Sequence, residues 1–366
     1  MSLITRCSDN AFGLGHPLIT LLAVGHLLLI WIPQGSHHAK PTPTPGSAVL
    51  RFNMAKGSFM NTVYLDPPFT DDERRHQLFN GQLIVLSPKQ STLEFCRFAR
   101  GLIEEAFKPY DPETAQFNIP VEEYAEILQK LKPQFIHHPE SKKHLRNVLE
   151  EHGCDLTKTY YEVPKLRSST SSDYLTTGIA YAWHPHRDTW TAALPSQINW
   201  WIPIYGLKSD NAMTFYPQYW DKPIKNSSSD YNYYTWNQQH RGTHVSQYLK
   251  SDPRPIPKAT EPLNLSPEVR LICPVGGIVL FSASHLHASV PNTSGVTRFS
   301  FDFRTVQLDD IASRAGAPNI DSQCKGHMLR DYLRPTDLTH VPQEYFALYD
   351  DGSEKDGALV YEPEVA

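Results

Sequence analysis

The sequence predicts an α+β fold in which an antiparallel double-sheet barrel follows a set of supporting helices. Segments with apolar residues at helical spacing lie before residue 157, and short β-branched and aromatic segments bounded by turn residues lie after it. The 30 prolines and the aromatic content of 11% indicate many turns, as in a β-rich protein. Helices followed by runs of strands are typical of the α+β class.

Composition describes an ordinary globular protein. The chain has 366 residues, of which 40% are hydrophobic and 20% charged, enough to bury a large core. The formal net charge of −5, without any basic block, argues against nucleic acid or an anionic membrane as the main partner. The 5 cysteines are widely spaced without a CxxC pair, so we expect reduced thiols and a cytoplasmic protein.

Residues 1–53 differ from the rest of the chain. Leu18 to Pro33 is an apolar run followed by a proline-rich stretch. The run is shorter than the roughly 20 residues that span a bilayer, and its flanks fit a signal peptide poorly. We expect residues 1–53 to be a dispensable leader, with a membrane anchor as the alternative and as the one expected route to membrane contact. Residues 54–366 are predicted to form a single domain with a barrel core at about 157–306.

Three helices are predicted before the barrel. Ser91-Thr-Leu-Glu matches a capping box that opens a helix to about Phe107. Pro120 predicts the start of a helix over residues 121–131, and Gly153 ends a third over residues 140–152. An apolar stripe on the first helix is expected to pack against a sheet; its residues are Leu93, Phe95, Ala99 and Ile103.

The predicted strands are rich in β-branched and aromatic residues. A short strand is expected before the helices, and the others follow residue 157. They cover residues 81–86, 159–163, 177–183, 197–205, 277–281 and 298–306. A short helical piece near Met328 to Leu333 is expected to cover one end of the barrel.

Two segments carry candidate metal ligands. His186 and Asp188 project to the same side of an extended chain, because side chains alternate with a period of two residues. A bare His-x-Asp pair is weak, since with 17 histidines about one is expected by chance. The later segment, residues 284–304, adds His287. Two histidines and one carboxylate on one face of an iron form the facial triad of non-haem Fe(II) oxygenases.

The strand that begins at Arg298 alternates strictly between polar residues and phenylalanines. In the simpler interpretation, polar residues face water and phenylalanines face the core. In the functional interpretation, helices cover the phenylalanine face and the polar face lines the barrel. A buried arginine there would need a carboxylate partner, which a bidentate contact to a keto acid would supply.

The combined pattern resembles the phytanoyl-CoA dioxygenase-like branch of the Fe(II)/2-oxoglutarate-dependent oxygenases. The likeness covers about residues 175–306 and includes the His-x-Ser-x-Pro-Asn-x-Ser run from His287 and the eleven-residue step to Arg298. It implies a double-stranded β-helix (a jelly-roll or cupin-like barrel). It also implies Fe(II) bound by His186, Asp188 and His287, and 2-oxoglutarate held by Arg298 and Ser289. Trp200 or Trp201 is expected to pack on the keto acid; Trp201 is the residue named for this role, but the sequence does not distinguish the two.

Two histidines compete with the proposed ligands. His184 and His285 each lie two residues before a candidate and would share its strand face. Asp188 favours His186, and the Ser289 motif and the step to Arg298 favour His287. Related halogenases have a small residue where Asp188 stands, so the resemblance favours hydroxylation over chlorination.

The predicted activity is hydroxylation of an unactivated C–H bond of a small molecule, such as a sugar or lipid head group. Dioxygen is consumed and 2-oxoglutarate is decarboxylated to succinate. The alternative is a cupin-like metal- or sugar-binding protein without oxidative turnover. Aromatic residues interleaved with asparagines at 215–249 either bind a polar ring or pack among themselves, and the sequence leaves both open.

Overall fold

A computed structural model of the chain describes residues 62–176, 184–240 and 254–350, together with the backbone of three strands within residues 18–51. The predicted strand at 177–183 and the end of the aromatic region, 241–249, lie outside the described residues. None of the helices in these ranges combines the length and the apolar character needed to cross a membrane.

The described strands form two sheets. The larger has the order β13-β6-β12-β7-β10-β5-β4-β3 and the smaller the order β1-β2-β9-β8-β11. Neighbouring strands are antiparallel except for the parallel pair β4 and β5. The strands are β1 Leu18–Ala23, β2 His26–Trp31, β3 Val49–Arg51, β4 Thr62–Leu65, β5 Leu83–Leu86, β6 Thr159–Ser169, β7 Ile198–Pro203, β8 Met213–Phe215, β9 Val269–Ile272, β10 Ile278–Ser282, β11 His287–Ser289, β12 Arg298–Gln307 and β13 Tyr332–Leu333.

The described α-helices are α1 Asp71–Phe79, α2 Gln90–Phe107, α3 Val121–His137, α4 Pro139–Glu151, α5 Tyr233–Gln239 and α6 Leu308–Ser313. Helices α1 to α4 contribute to the hydrophobic cluster on the outer face of the larger sheet, whereas α5 and α6 contribute to a separate cluster. The ring of Phe95 on α2 lies 4.3 Å from that of Phe301 on β12, measured between centroids. Phe95, Ala99 and Ile103 are fully buried as the apolar stripe predicts, whereas Leu93 is 37% exposed and lies outside it. The mixed α/β architecture with a large antiparallel sheet is therefore confirmed, and the finer assignment as a double-stranded β-helix stays a prediction.

The helix ends differ from the predicted ones. The capping box predicted at Ser91 is wrong, because the N-cap of α2 is Lys89, two residues earlier, and the Ser91 hydroxyl donates to Glu151 on α4. A capping box is present instead at the start of α1, where Thr70 and Glu73 bond each other's backbone N–H groups. Helix α3 also continues through Pro133 to His137, beyond the predicted end at residue 131.

The segments at both ends of the chain contribute strands. Strand β2 pairs with β9 and β3 pairs with β4, so the predicted leader supplies strands to both sheets. That residues 1–53 are dispensable, and that residues 54–366 form one domain, stay predictions. The helical piece predicted near residues 328–333 is wrong in part: a single 3₁₀ turn, Leu329–Asp331, leads into β13, which pairs with β6.

The two faces of β12 have different environments. Phe299, Phe301 and Phe303 are buried in the cluster formed with the helices. On the opposite face, Arg298 and Ser300 are also buried. The alternation therefore does not separate solvent from core. The alternation instead separates a face covered by helices from a polar face directed at the smaller sheet, where Arg298 contacts Ser289 of β11.

Candidate metal centre

His186 and His287 face each other as an antiparallel backbone pair. The amide N–H of each donates to the carbonyl oxygen of the other, at 3.0 Å in both directions. His287 begins β11, and Asp188 begins a 3₁₀ turn two residues after His186. This pairing brings ligand atoms of the three side chains within 4.8 Å of one another. The structure thus places the three sequence-predicted ligands together, in a grouping that could hold a metal ion.

Both imidazoles are oriented in the same way. Nδ1 of His186 lies 2.8 Å from the carbonyl oxygen of His184, and Nδ1 of His287 lies 3.0 Å from that of His285. A carbonyl oxygen can only accept, so each Nδ1 carries the proton and each Nε2 keeps its lone pair. The two Nε2 atoms lie 3.4 and 4.0 Å from Oδ1 of Asp188. Two nitrogen lone pairs and one carboxylate oxygen therefore converge on one point.

Asp188 is buried and remains ionised. Burial alone would raise the pKa of its carboxyl, but the contact with the adjacent His186 ring and the charge of Arg304 outweigh this effect and lower it. Its second oxygen, Oδ2, accepts a hydrogen bond of 2.8 Å from Nδ2 of Asn199. The triad thus contains one permanent negative charge.

His287 is suited to bind a metal ion near neutral pH. Burial, followed by the proximity of His186, lowers its pKa to about 4. The side chain is therefore neutral at pH 7, and no proton has to leave Nε2 before a cation binds. An imidazole, a second imidazole and a carboxylate form a donor set that suits Fe(II).

The competing histidines have other partners. His184 is exposed, and its Nε2 lies 3.4 Å from the carbonyl oxygen of Pro257. His285 is buried, and its Nε2 lies 3.1 Å from the carbonyl oxygen of Gly81. Neither belongs to the convergent group. Neither residue is assigned to a strand, so the two-residue alternation expected from the sequence does not apply to them.

Arg298 is a buried cation on the inner face of β12. Its two terminal nitrogens donate to the carbonyl oxygen of Asn211 at 3.1 Å and to the Ser289 hydroxyl at 3.3 Å. Its Nε has no hydrogen-bond partner, and no carboxylate of the described residues forms an ion pair with it. Burial lowers the pKa of Arg298 to about 10, which leaves the guanidinium charged at pH 7. A buried guanidinium without an ion-pair partner is energetically costly, and an anionic ligand would reduce that cost.

The two adjacent tryptophans lie on opposite faces of β7. Trp201 lies under Arg298, whose guanidinium carbon is 5.5 Å from the indole centroid. Trp200 stacks on Phe303 at 5.4 Å between centroids, on the helix-covered side. Of the two candidates, Trp201 is therefore the one that shares a face with Arg298.

The other charged groups on this inner face are paired with one another. Arg304 contacts Glu162, and its Nε lies 3.8 Å from Oδ2 of Asp188. Arg167 donates to both carboxylate oxygens of Asp302. Arg304 is thus occupied by protein carboxylates, in contrast to Arg298. Sequence reasoning missed the roles of Glu162 and Asn199, although Asn199 lies two residues before Trp201 on the same strand face.

The aromatic region after β8 packs against the protein itself. Tyr231, Tyr233 and Tyr234 are buried in one hydrophobic cluster, and Tyr216 and Trp220 are also buried. Their exposed fractions are 5% or less. In its described part, this region therefore favours self-packing over an exposed ring-binding surface.

No protein-family model matches the sequence, and no curated protein matches it either. The structure is similar to EvdO2 from Micromonospora carbonacea var. aurantiaca, described as complexed with 2-oxoglutarate, with 12% identity, a TM-score of 0.36 and coverage of 66% of this chain and 93% of that one. It is also similar to the non-heme alpha ketoglutarate dependent epimerase SnoN, with 13% identity, a TM-score of 0.33 and coverage of 65% and 84%. A third similar structure is the non-heme alpha ketoglutarate dependent carbocyclase SnoK, with 14% identity, a TM-score of 0.32 and coverage of 69% and 96%.

The resemblance to the phytanoyl-CoA dioxygenase-like branch stays a prediction. At such low identities and TM-scores, structural likeness assigns no function. The assignment of this site rests on the convergent histidine, aspartate and histidine side chains and on the buried arginine beside them.

Proposed function

We propose that this protein is a non-haem Fe(II)/2-oxoglutarate-dependent dioxygenase that hydroxylates a small molecule. In the balanced reaction, substrate R–H, dioxygen and 2-oxoglutarate yield R–OH, succinate and carbon dioxide. The observation that carries the proposal is a buried metal-ligand triad next to a buried arginine that lacks a carboxylate partner among the described residues. Neither feature is needed for a purely structural barrel.

The spacing of the two features fits a five-carbon keto diacid. His287 and Ser289 lie two residues apart on β11, so their side chains share a face and are separated by about 7 Å. Ser289 in turn accepts a hydrogen bond from Arg298. A ligand that reaches from the triad to Arg298 therefore needs a metal-binding group at one end and a carboxylate at the other, as in 2-oxoglutarate.

In this proposal His186, Asp188 and His287 hold Fe(II), and Arg298 and Ser289 hold the distal carboxylate of 2-oxoglutarate. Trp201 forms the wall beneath the guanidinium and excludes water from it. Bound iron would supply the redox chemistry with dioxygen, while the protein supplies position and a low-dielectric surrounding. Three protein ligands leave coordination positions for the keto acid and dioxygen.

Hydroxylation is the finer part of the proposal. SnoN is described as a non-heme alpha ketoglutarate dependent epimerase and SnoK as a carbocyclase of the same dependence, so enzymes with these cofactors are not restricted to hydroxylation. Asp188 supports hydroxylation over halogenation, because its carboxylate would fill the coordination position that a halide needs. We extend the proposal to a single oxygenase domain over residues 54–366 of the phytanoyl-CoA dioxygenase-like branch, located in the cytoplasm.

Anaerobic visible absorption tests the proposal. Fe(II) and then 2-oxoglutarate are added to the purified protein, and a metal-to-keto-acid charge-transfer band is expected. Asp188→Ala should show no band and no metal binding, because it removes the anionic ligand. Asp309→Ala is the matched control, since Asp309 is a largely exposed carboxylate that pairs with Lys158.

Metal binding without a band in the wild-type protein would instead support the cupin-like metal-binding alternative. A band that persists in Asp188→Ala would disprove the ligand assignment. Once the band is established, mass spectrometry of candidate substrates, with a gain of one oxygen atom as the expected change, tests hydroxylation.

A further inference from the structure

A chain of three hydrogen bonds leads to Asp188 from the edge of the larger sheet. The Tyr332 hydroxyl donates to Oε1 of Gln197 at 2.9 Å, and Nε2 of Gln197 donates to Oδ1 of Asn199 at 2.9 Å. Nδ2 of Asn199 then donates to Oδ2 of Asp188 at 2.8 Å. Tyr332, Gln197 and Asn199 are all buried, with exposed fractions of 0%, 0% and 4%.

The direction of each hydrogen bond follows from the last acceptor. An ionised carboxylate has no proton to donate, so Asn199 must present its amide nitrogen to Asp188. The amide oxygen of Asn199 then faces Gln197 and needs a donor, which orients the Gln197 amide in turn. The Gln197 oxygen accepts from Tyr332, whose pKa is raised well above its ordinary value by burial and by the nearby charge of Glu162. Tyr332 therefore keeps its proton and donates it to the Gln197 oxygen, which can only accept.

The chain engages one oxygen of Asp188 and leaves the other directed at the histidines. Oδ1 faces both Nε2 atoms, whereas Oδ2 is bonded by Asn199. Gln197 is a weaker second neighbour of Oδ2 at 3.4 Å, and Nε of Arg304 lies at 3.8 Å. Of these three contacts to Oδ2, the one from Asn199 is the shortest, and it fixes the rotational orientation of the Asp188 carboxylate.

We infer that Asn199 is a positioning residue for the metal centre, and that Tyr332 and Gln197 fix the orientation of its amide. Asn199 presents Asp188 to the metal as a one-oxygen ligand, which preserves a coordination position that a two-oxygen carboxylate would occupy. The inference rests on the proposed metal centre. It goes beyond that proposal because it assigns a role to three residues that do not touch the metal. Partners that hydrogen-bond a ligating side chain commonly change metal affinity by about 10–100-fold when removed.

The test compares metal affinity in three variants of the full chain. Asn199→Leu keeps the volume but removes the amide, and Co(II) titration should show an affinity about 10–100-fold weaker than wild type. Tyr332→Phe keeps the ring and removes the last donor, so the expected loss is smaller, about threefold to tenfold. Thr305→Val is the matched control, because it removes a buried 2.9 Å hydrogen bond from Trp200 on the helix-covered side of the same strand pair.

A second measurement separates positioning from general loss of stability. At saturating Fe(II), 2-oxoglutarate affinity should stay near the wild-type value in Asn199→Leu, because Arg298 and Ser289 are intact. The stabilisation produced by added Co(II) should shrink in Asn199→Leu and Tyr332→Phe but not in Thr305→Val. If Asn199→Leu fails to fold, Tyr332→Phe alone provides the test through the same titration.

Wild-type Co(II) affinity in both Asn199→Leu and Tyr332→Phe would overturn the inference while leaving the metal centre in place. An equal loss of affinity in Thr305→Val would also overturn it, since the effect would then be one of stability. Failure of the wild-type protein itself to bind Co(II) or Fe(II) would instead refute the proposed function.

Discussion

Replacing Arg298 by methionine should weaken 2-oxoglutarate binding without a matching loss of stability. Methionine fills a similar volume with no charge, so the substitution removes the guanidinium and keeps most of the packing against Trp201. In the protein without ligand, Arg298 is a buried cation whose hydrogen bonds go to the Asn211 carbonyl and the Ser289 hydroxyl. The loss of these two bonds is offset by removal of the cost of burying a charge, so we expect the unfolding free energy to stay within about 1 kcal/mol of wild type.

The expected loss in affinity follows from the burial of Arg298. At 5% exposure, the guanidinium is screened little by water, so its contact with a carboxylate is far stronger than the pairing of exposed charges. Removing one partner of a buried hydrogen-bonded charge pair costs about 2–5 kcal/mol. Because the metal and Ser289 still hold the keto acid, we take the lower part of this range, about 2–3 kcal/mol, which corresponds to a Kd increase of roughly 30- to 150-fold.

The assay is anaerobic titration of the Fe(II)-loaded protein with 2-oxoglutarate, followed by the charge-transfer band, together with urea unfolding of the metal-free protein. Arg270→Met is the matched control, since Arg270 lies on the smaller sheet and pairs with Glu268. Its 2-oxoglutarate Kd should equal that of wild type. An unchanged Kd in Arg298→Met would refute the assignment of Arg298 as the carboxylate-binding residue.

Two further predictions concern the scaffold. Phe301→Ala should lower the unfolding free energy by about 3–5 kcal/mol, because the fully buried ring packs on Phe95 and Phe135, and a loss below about 1 kcal/mol in urea unfolding would contradict this packing. His152 is buried, and burial lowers its pKa to about 4. Between pH 6.5 and 4, His152 is therefore protonated in the unfolded chain but neutral in the folded chain. The contribution of His152 to the unfolding free energy should therefore fall by up to about 3 kcal/mol as pH decreases from 6.5 toward 4. His152→Asn should remove this contribution and leave those of His285 and His287, whose pKa values are also lowered by burial.

Local sequence patterns predicted the larger helices and strands, because the side-chain repeat of each element depends on residues that are neighbours in the chain. The alternation along β12 and the apolar stripe on α2 each reflect the repeat of a strand or a helix, which depends on neighbouring residues alone. The exact helix starts depended on distant partners. Ser91 looked like a cap, yet its hydroxyl bonds Glu151, which lies 60 residues further along the chain.

The missed elements show the same division. Helix α1 could have been found, because Thr70 lies directly before it and Glu73 is its third residue, which is capping-box spacing. The role of Asn199 could not be found from sequence, because the role of a buried asparagine depends on which acceptor its amide group bonds, and the sequence does not identify that acceptor. That acceptor, Asp188, reaches Asn199 only through the 3₁₀ turn that follows His186.

The sequence by itself determined the types of donor and their local spacing: the His186-x-Asp188 pair, and the steps from His287 to Ser289 and to Arg298. Only the tertiary structure decided which of several similar residues belong to the site. His184 and His285 contact backbone carbonyl oxygens of other segments. Glu162 forms an ion pair with Arg304 and not with Arg298. Trp201 lies on the same face of the sheet as Arg298, whereas Trp200 lies on the opposite face. These choices depend on atoms that are far apart in the chain and close in space, and no local pattern of residues encodes them.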